Sequence, residues 1–567
     1  MEARACLRIG KRWFPWFFIS PMAQKVWENG LNRRWILVFF GKRSLAMLTL
    51  CFVAVVWLAG CTDPVSDTES GINHGAGDEP VTYTIADTVG DWGFPAPYTH
   101  YPRGPGYIRM SFIFDTLIWK DQNGLTGLLA DNWQYLPEEN AYLFNLRQDV
   151  KWHDGKSFTA QDVLFTFQYV KEHPYGFSDT RMIKNVAAPD DYTVKVYLAE
   201  PYAPFLANVA GTLPILPAHI YQDIDDPESI KELKAATGTG PYKLVDYNQE
   251  QGTYLYEANE NYYLGRPRVD KIRLIKVSEQ MTPAALFDGT VQAGAVPPEM
   301  VEKFINQGYA AVTSGHDWAA KLMFNHHQEP FANQKFRQAI AYAIDREKLV
   351  AISQRGHALA GSPGFLPPDH PWYSADINQY AYQPEKSKEL LAELGYQFKN
   401  GLWEKEGRPL TVELLIKARF GRDAEMIKQD LEQVGIKVVV RSLEDKTMDA
   451  KIKGWDFQLA ISGHGGLGGD PEIFNKNVLG EGFNSARYYK NETLIALLQE
   501  QIAIMDNAER ARRVAEIQRI YAQELPALTL YYPDSHWVHN GELDLYYTPQ
   551  GVASGIPIPL NKLSFIQ

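Results

Sequence analysis

Residues 131–167 read DNWQYLPEENAYLFNLRQDVKWHDGKSFTAQDVLFTF and carry a strand, a tight turn and a helix in close succession. AYLFNLR is rich in the aromatic and apolar side chains that suit a pleated, half-buried surface. Asp154-Gly155 supplies the short polar residue and the free backbone torsion of a tight turn. Thr159 is placed as the N-cap of a helix over AQDVLFTFQYV, with Asp162 at the third helical position completing a short capping box. His153 and Asp154 are adjacent, yet the turn accounts for both without a metal or an acid–base pair.

The alternation continues outward from this segment. TYTIAD, YTVKVYL, KIRLIKV, LTVELLIK, IKVVVRSL and FQLAIS read as strands from their β-branched and aromatic content. KFRQAIAYAIDREKLVAIS, PEKSKELLAELG, DAEMIKQDLEQVG and NAERARRVAEIQRIYAQEL carry the apolar spacing of amphipathic helices. Pro384 falls in the first turn of the second helix, and Gly395 and Gly435 close two helices that feed strands. The fold class is α/β with mixed sheets. With 31 Tyr, 27 Phe and 14 Trp, many beside Gly or Pro, there are aromatics enough to line a cleft as well as fill a core.

After FQLAIS the chain runs SGHGGLGGDPEIF (462–474). Gly463, Gly465 and Gly468 match the spacing of a dinucleotide-binding turn, but that turn needs a helix starting inside the glycines. Asp470-Pro471 breaks any helix there, so the match is a coincidence of glycine density. Bare glycines instead expose successive N–H groups to an anion and let a ligand approach closely. His464 offers a hydrogen bond or a metal ligand, or is simply a surface loop histidine. Asp470 is placed to cap a short helix over PEIFNKN.

The first sixty residues are of another kind. Gly41-Lys42-Arg43 precedes the uncharged apolar run SLAMLTLCFVAVVWLAG, which ends at Leu58-Ala59-Gly60-Cys61. A basic flank, a short apolar core and small residues at the break make a secretory signal. The tetrad resembles a bacterial lipobox, in which Cys61 is lipidated and begins the mature chain. The basic and aromatic patches before it are explained by a translation start at Met22 or Met47. Residues 62–80 are small, polar and acidic, as a flexible tether is. Beyond Cys61 there remain 47 basic and 66 acidic residues, a net of −19, so nucleic acid is excluded as a partner. Cys6, Cys51 and Cys61 are the only cysteines, which removes disulfides, cysteine–zinc sites and a cysteine nucleophile from the mature domain.

Several stretches, in one order along the chain, resemble the extracellular solute-binding proteins of bacterial peptide and nickel ABC importers. They are residues 131–167, GTGPYKL (238–244), NENYYLGRPRVDKI (259–272), FNHHQEPFANQKFRQAIAYAIDREKLV (324–350) and YQPEKSKELLAELGY (382–396). The resemblance spans residues 80–545. It implies a two-lobed clamshell of the type II periplasmic-binding kind with an additional domain, closing around its ligand. Residues 1–60 are then the signal and 61–80 the tether. Lobe I comprises 81–113, 238–320 and 535–567, the additional domain 114–237, and lobe II 321–534. GTGPY (238–242) is taken as the hinge between lobes.

The resemblance also implies where a ligand binds. Peptide binders of this family carry, just before G-D-P, an aspartate that receives the peptide's α-amino group. Here that stretch is His464-Gly-Gly-Leu-Gly, with no carboxylate before Asp470. Gly463, His464, Gly465 and Asp470 are the candidates from this loop. Arg419 and Arg422, after a strand and opening a helix, stand near where peptide binders hold the ligand carboxylate. Trp92, Tyr101 and Arg103 are drawn from the aromatic loop DWGFPAPYTHYPRGPGY (91–107). His326-His327, on an extended segment, would point to opposite faces and not clamp a metal.

The function implied is that of a monomeric receptor, lipid-anchored on the outer face of the membrane. It captures a di- or oligopeptide and delivers it to an ABC permease, without a cofactor and without catalysis. G-x-S-x-G, H-E-x-x-H and Walker A patterns are absent from the sequence. Two alternatives stand: a binder of nickel or another metal chelate through His464, and a cell-surface hydrolase using Asp470, Asp154 and a histidine.

Overall fold

The computed structural model describes residues 80–480 and 485–566; the signal, Cys61 and nearly all of the tether lie outside them. No helix among the described residues is long and apolar enough to cross a membrane.

Two mixed sheets organise the chain. The first has seven strands, in the order Ala310–Thr313, His536–His539, Ala293–Ala295, Thr82–Asp87, Lys271–Lys276, Thr253–Ala258, Tyr242–Asn248. TYTIAD lies at its centre, parallel to Lys271–Lys276 and to Ala293–Ala295. The second has six strands, in the order Ala358–Ala360, Ala527–Pro533, Trp318–Phe324, Leu459–Gly465, Thr411–Lys417, Lys437–Leu443. Its central strands are apolar on both faces, as a sheet covered on both sides requires. One face packs on helices Gln334–Ala343, Pro384–Glu393 and Gly421–Gln433, and the other on Glu492–Gln501 and Asn507–Glu524.

Residues 131–167 build part of a separate four-stranded antiparallel sheet, Ala130–Leu136, Ala141–Leu146, Thr193–Leu198 and Ile183–Asp190. Its apolar residues, among them Phe144, Val194 and Val196, share one core with Tyr83, Ile85 and Ile272 of the seven-stranded sheet. Gly155 takes φ +88, and the helix Ala160–Glu172 starts at Thr159 with both halves of the capping box made. The Thr159 N–H donates to Asp162 Oδ2 at 3.0 Å, while the threonine hydroxyl accepts from the Gln161 N–H.

Three expectations are corrected. The apolar run 335–353 is two helices, Gln334–Ala343 and Arg346–Ser353. Asp345 separates them because its side chain caps the second by accepting from the Lys348 N–H. His326 and His327 lie in a turn, with ring centroids 4.4 Å apart, instead of facing opposite sides of an extended segment. GTGPY does not join the two large sheets. Gly238 and Gly240 press on the Ile113 carbonyl inside the first lobe, where a Cβ would come within 1.9 and 2.6 Å of it. The chain passes between the sheets at 314–317 and again at 534–535, and these two crossings run side by side. The Ser314 N–H donates to the Ser535 carbonyl at 2.9 Å.

Candidate functional site

Lobe II meets the additional domain on one side of the crossings and lobe I on the other. On one side Tyr202 and Asn208 donate to the Glu472 carboxylate at 2.6 and 2.5 Å, and the Ala203 N–H donates to the Ile502 carbonyl. On the other, Arg355 reaches Glu299 at 2.8 Å. These contacts hold lobe II against the rest of the chain.

The glycine loop is part of that contact. At Gly463 a Cβ would stand 1.9 Å from the Trp318 indole, and at Gly468 one would stand 1.7 Å from Asp317 Oδ1. At Gly469 the obstacle is the Ser554 carbonyl, 2.7 Å away, in the C-terminal tail. Gly465 has room, its nearest neighbour being 3.6 Å distant, and Gly466 takes φ +85. The glycines are there so that one crossing and the tail can pack against the loop. That is a different reason from a cradle of N–H groups, and the Leu467 N–H is already given to the Asp317 carbonyl.

His464 points into lobe II. It pairs in register with Ala319, stacks on Phe365 at 5.4 Å, and both ring nitrogens are buried without a hydrogen-bond partner. Burial, reinforced by the Lys321 cation, holds it neutral, well below the usual histidine range. No solvent reaches either nitrogen, so nothing carried in the cleft reaches them in this form. Asp470 is equally occupied. Its carboxylate takes Arg510 at 2.7 and 2.5 Å, with the pair almost wholly buried, and also accepts the Glu472 N–H at 2.8 Å as a cap.

The remaining candidates are scattered. Trp92 is half-buried and donates its indole N–H to Asp87 at 3.2 Å. Tyr101 is exposed and donates to Asp91, and Arg103 is an exposed residue before helix Gly104–Ser111. Gly104 of the same loop meets Ile556 of the tail. Arg419, over the Phe420 ring at 4.9 Å, and Arg422 are exposed at the end of strand Thr411–Lys417. The residues of the hydrolase alternative are not assembled: Asp154 pairs with His219 at 2.7 Å and Asp470 with Arg510.

A cavity of 270 Å³ between the lobes is lined, apart from Gly468, by groups that the sequence did not single out. One crossing provides Gly315, His316 and Asp317, lobe II provides Asp369, His370 and Gly468, and the tail provides Tyr547–Gln550. Asp317 is 8% exposed. Burial, with the Asp369 charge adding to it, pushes its carboxyl up to about 6. Lys120 stands behind Gln550, donating to its carbonyl at 3.4 Å. Burial pushes this ammonium down to about 8, against the pull of Asp470 and Asp317. The cavity thus holds a desolvated acid, costly until a cation arrives, with a desolvated base behind its Gln550 wall. Lys120 was hidden as one charge in the short strand IWKD, and Asp317 as one residue before an apolar strand.

A model of the bacterial extracellular solute-binding proteins, family 5, matches residues 124–486. The chain belongs to that family, whose members are solute-binding proteins. Heme-binding protein A of Haemophilus influenzae is 29% identical over 450 residues, 72% of this chain and 79% of that one. The oligopeptide-binding protein AppA of Bacillus subtilis is 27% identical over 538 residues, 90% and 97% of the two chains. The structure of that AppA in complex with a nonapeptide superposes with a TM-score of 0.69 at 24% identity, covering 85% of this chain and 99% of the other.

Proposed function

We propose that the chain captures a short peptide outside the cytoplasm and hands it to the permease of an ABC importer. It acts as a monomer tethered through lipid on Cys61, and residues 81–113, 238–320 and 535–567 work as one lobe against 321–534. The observation that carries the ligand class is Asp317, a buried carboxylate lining the interlobe cavity with no ion-pair partner among the described residues, while Lys120 stands behind the Gln550 wall of that cavity. A free peptide is a zwitterion. Its ammonium ionises Asp317 and so relieves that desolvated carboxylate. Asp317 thereby takes the part of the aspartate that the loop lacks before Asp470. The relatives named for peptide binding support the same class. A metal chelate would need a ligand other than His464, whose ring nitrogens are enclosed.

The test is to purify the chain without added ligand, denature it and identify what is released by mass spectrometry, with metal and haem assayed in the same sample. Peptides of two to a few residues are expected. Stoichiometric metal chelate or haem in place of peptide contradicts the reading.

A further inference from the structure

A second group of side chains lies on the other side of the crossings from the glycine loop. The turn after helix Arg346–Ser353 places Arg355 and Gly356 at φ +54 and +83, which brings His357 to the start of strand Ala358–Ala360. That strand pairs Ala358 with Pro533, and the Asp534 N–H donates to the His357 carbonyl at 3.1 Å. His357 is therefore fixed beside the Asp534–Ser535 crossing. His536, two residues on, already belongs to the seven-stranded sheet and pairs with Thr313. One ligand atom each from His357, Asp534 and His536 lie within 4.8 Å of one another.

The surroundings orient these three groups. Thr313 Oγ1 is 2.9 Å from His536 Nδ1, which leaves Nε2 directed at Asp534 Oδ2, 3.9 Å away. That Nε2 is buried and has no hydrogen-bond partner. His316 Nε2 holds Asp534 Oδ1 at 2.9 Å, while its own Nδ1 is held by Asp369 at 2.7 Å. A ligating histidine fixed through its second nitrogen, and a carboxylate fixed through its second oxygen, are how proteins hold metal ligands. His357 and Asp534 line a cavity of 410 Å³ together with Glu279, Glu299 and Arg355.

We propose that His357, Asp534 and His536 form a divalent-cation site at the hinge, joining lobe II to lobe I at a place separate from the peptide cavity and linked to it through His316. Two imidazoles and one carboxylate suit zinc, nickel or copper(II), and disfavour magnesium and calcium, which take all-oxygen sites. Ligand atoms around a tetrahedral zinc stand roughly 3.4 Å apart, so the three groups close in by about an ångström on binding, with water in the fourth position. Because two ligands move with one lobe and the third with the other, the ion holds the crossings in this arrangement. Cation availability then sets how readily the clamshell opens.

The test uses the full chain, stripped with chelator and dialysed, titrated with zinc chloride in a calorimeter. One zinc per chain is expected, with affinity lowered at least about tenfold by His357→Ala and again by His536→Gln. His219→Ala, at the distant pair with Asp154, leaves the affinity unchanged. A melting curve in chelator shows whether His357→Ala is folded; if it is not, His357→Asn carries the test. Zinc binding as tight in the folded His357 variant as in the natural chain overturns the proposal. So does a chain that binds no zinc.

Discussion

Asp470 and Asp317 are two buried carboxylates near one glycine loop, and they are opposites. Asp470 has everything a carboxylate needs: a bidentate Arg510, a backbone N–H to cap, and a place in the wall of lobe II. Asp317 is buried as deeply, faces a cavity, and is held partly protonated near neutral pH. A satisfied carboxylate is architecture, whereas a desolvated one facing empty space is ready for a ligand. Proximity to a Gly-Asp-Pro motif in sequence does not separate the two; partners in space do.

The largest effect that tests this contrast falls on stability. Asp470→Asn leaves Arg510 buried and half-paired, and is expected to cost about 3–5 kcal/mol in a denaturant melt. A loss below about 1 kcal/mol would mean that the pair is not structural. Asp317→Asn should do the reverse. It melts no lower than the natural chain, because a desolvation penalty is removed, but binds a short peptide about 10–100-fold more weakly, the worth of one hydrogen bond to a charged group. Next come the glycines. Gly463→Ala drives a methyl into the Trp318 ring and should cost about 1–3 kcal/mol, while Gly465→Ala, with its open neighbourhood, should stay within about 0.5 kcal/mol. Equal effects would show that the loop is not shaped by the crossing.

The smallest effect is the pH dependence. Asp317 must be ionised to hold an ammonium, and its carboxyl is raised to about 6 in the free protein. Peptide affinity should therefore be highest near pH 7, fall as the pH drops through 6 by up to about tenfold per unit below it, and fall again above about pH 8 as the peptide's α-ammonium loses its proton. Stability moves the other way. A carboxyl raised above its unfolded value makes the folded state bind the extra proton, so the Asp317 contribution weakens stability as pH rises from about 4 to 6. Calorimetry at pH 5, 6 and 7 checks the first claim, and melting curves over the same range check the second.

How far the sequence reaches follows from the same distinction. Local chemistry was legible: the Thr159–Asp162 capping box, the turn at Gly155 and most strands and helices depend on neighbours along the chain. The dinucleotide reading of the glycines was excluded for a local reason as well, the helix break at Asp470-Pro471. What stayed hidden depends on distant partners. Gly463 and Gly468 are glycine because Trp318 and Asp317 need the space, and Asp470 is engaged because Arg510 arrives from a helix far along the chain. The hinge was misplaced because Gly238 and Gly240 read as a linker, although they are glycines of close packing against Ile113. Lys120 and Asp317 carry no local mark at all.

The most direct measurement is a calorimetric titration at pH 7 of the natural chain and of Asp317→Asn, each with one tripeptide in free and N-acetylated form. The account predicts that acetylation weakens binding to the natural chain about 10–100-fold and has little further effect on the variant, since the ammonium and Asp317 are the two halves of one contact. Equal binding of the free and acetylated peptides by the natural chain would contradict it.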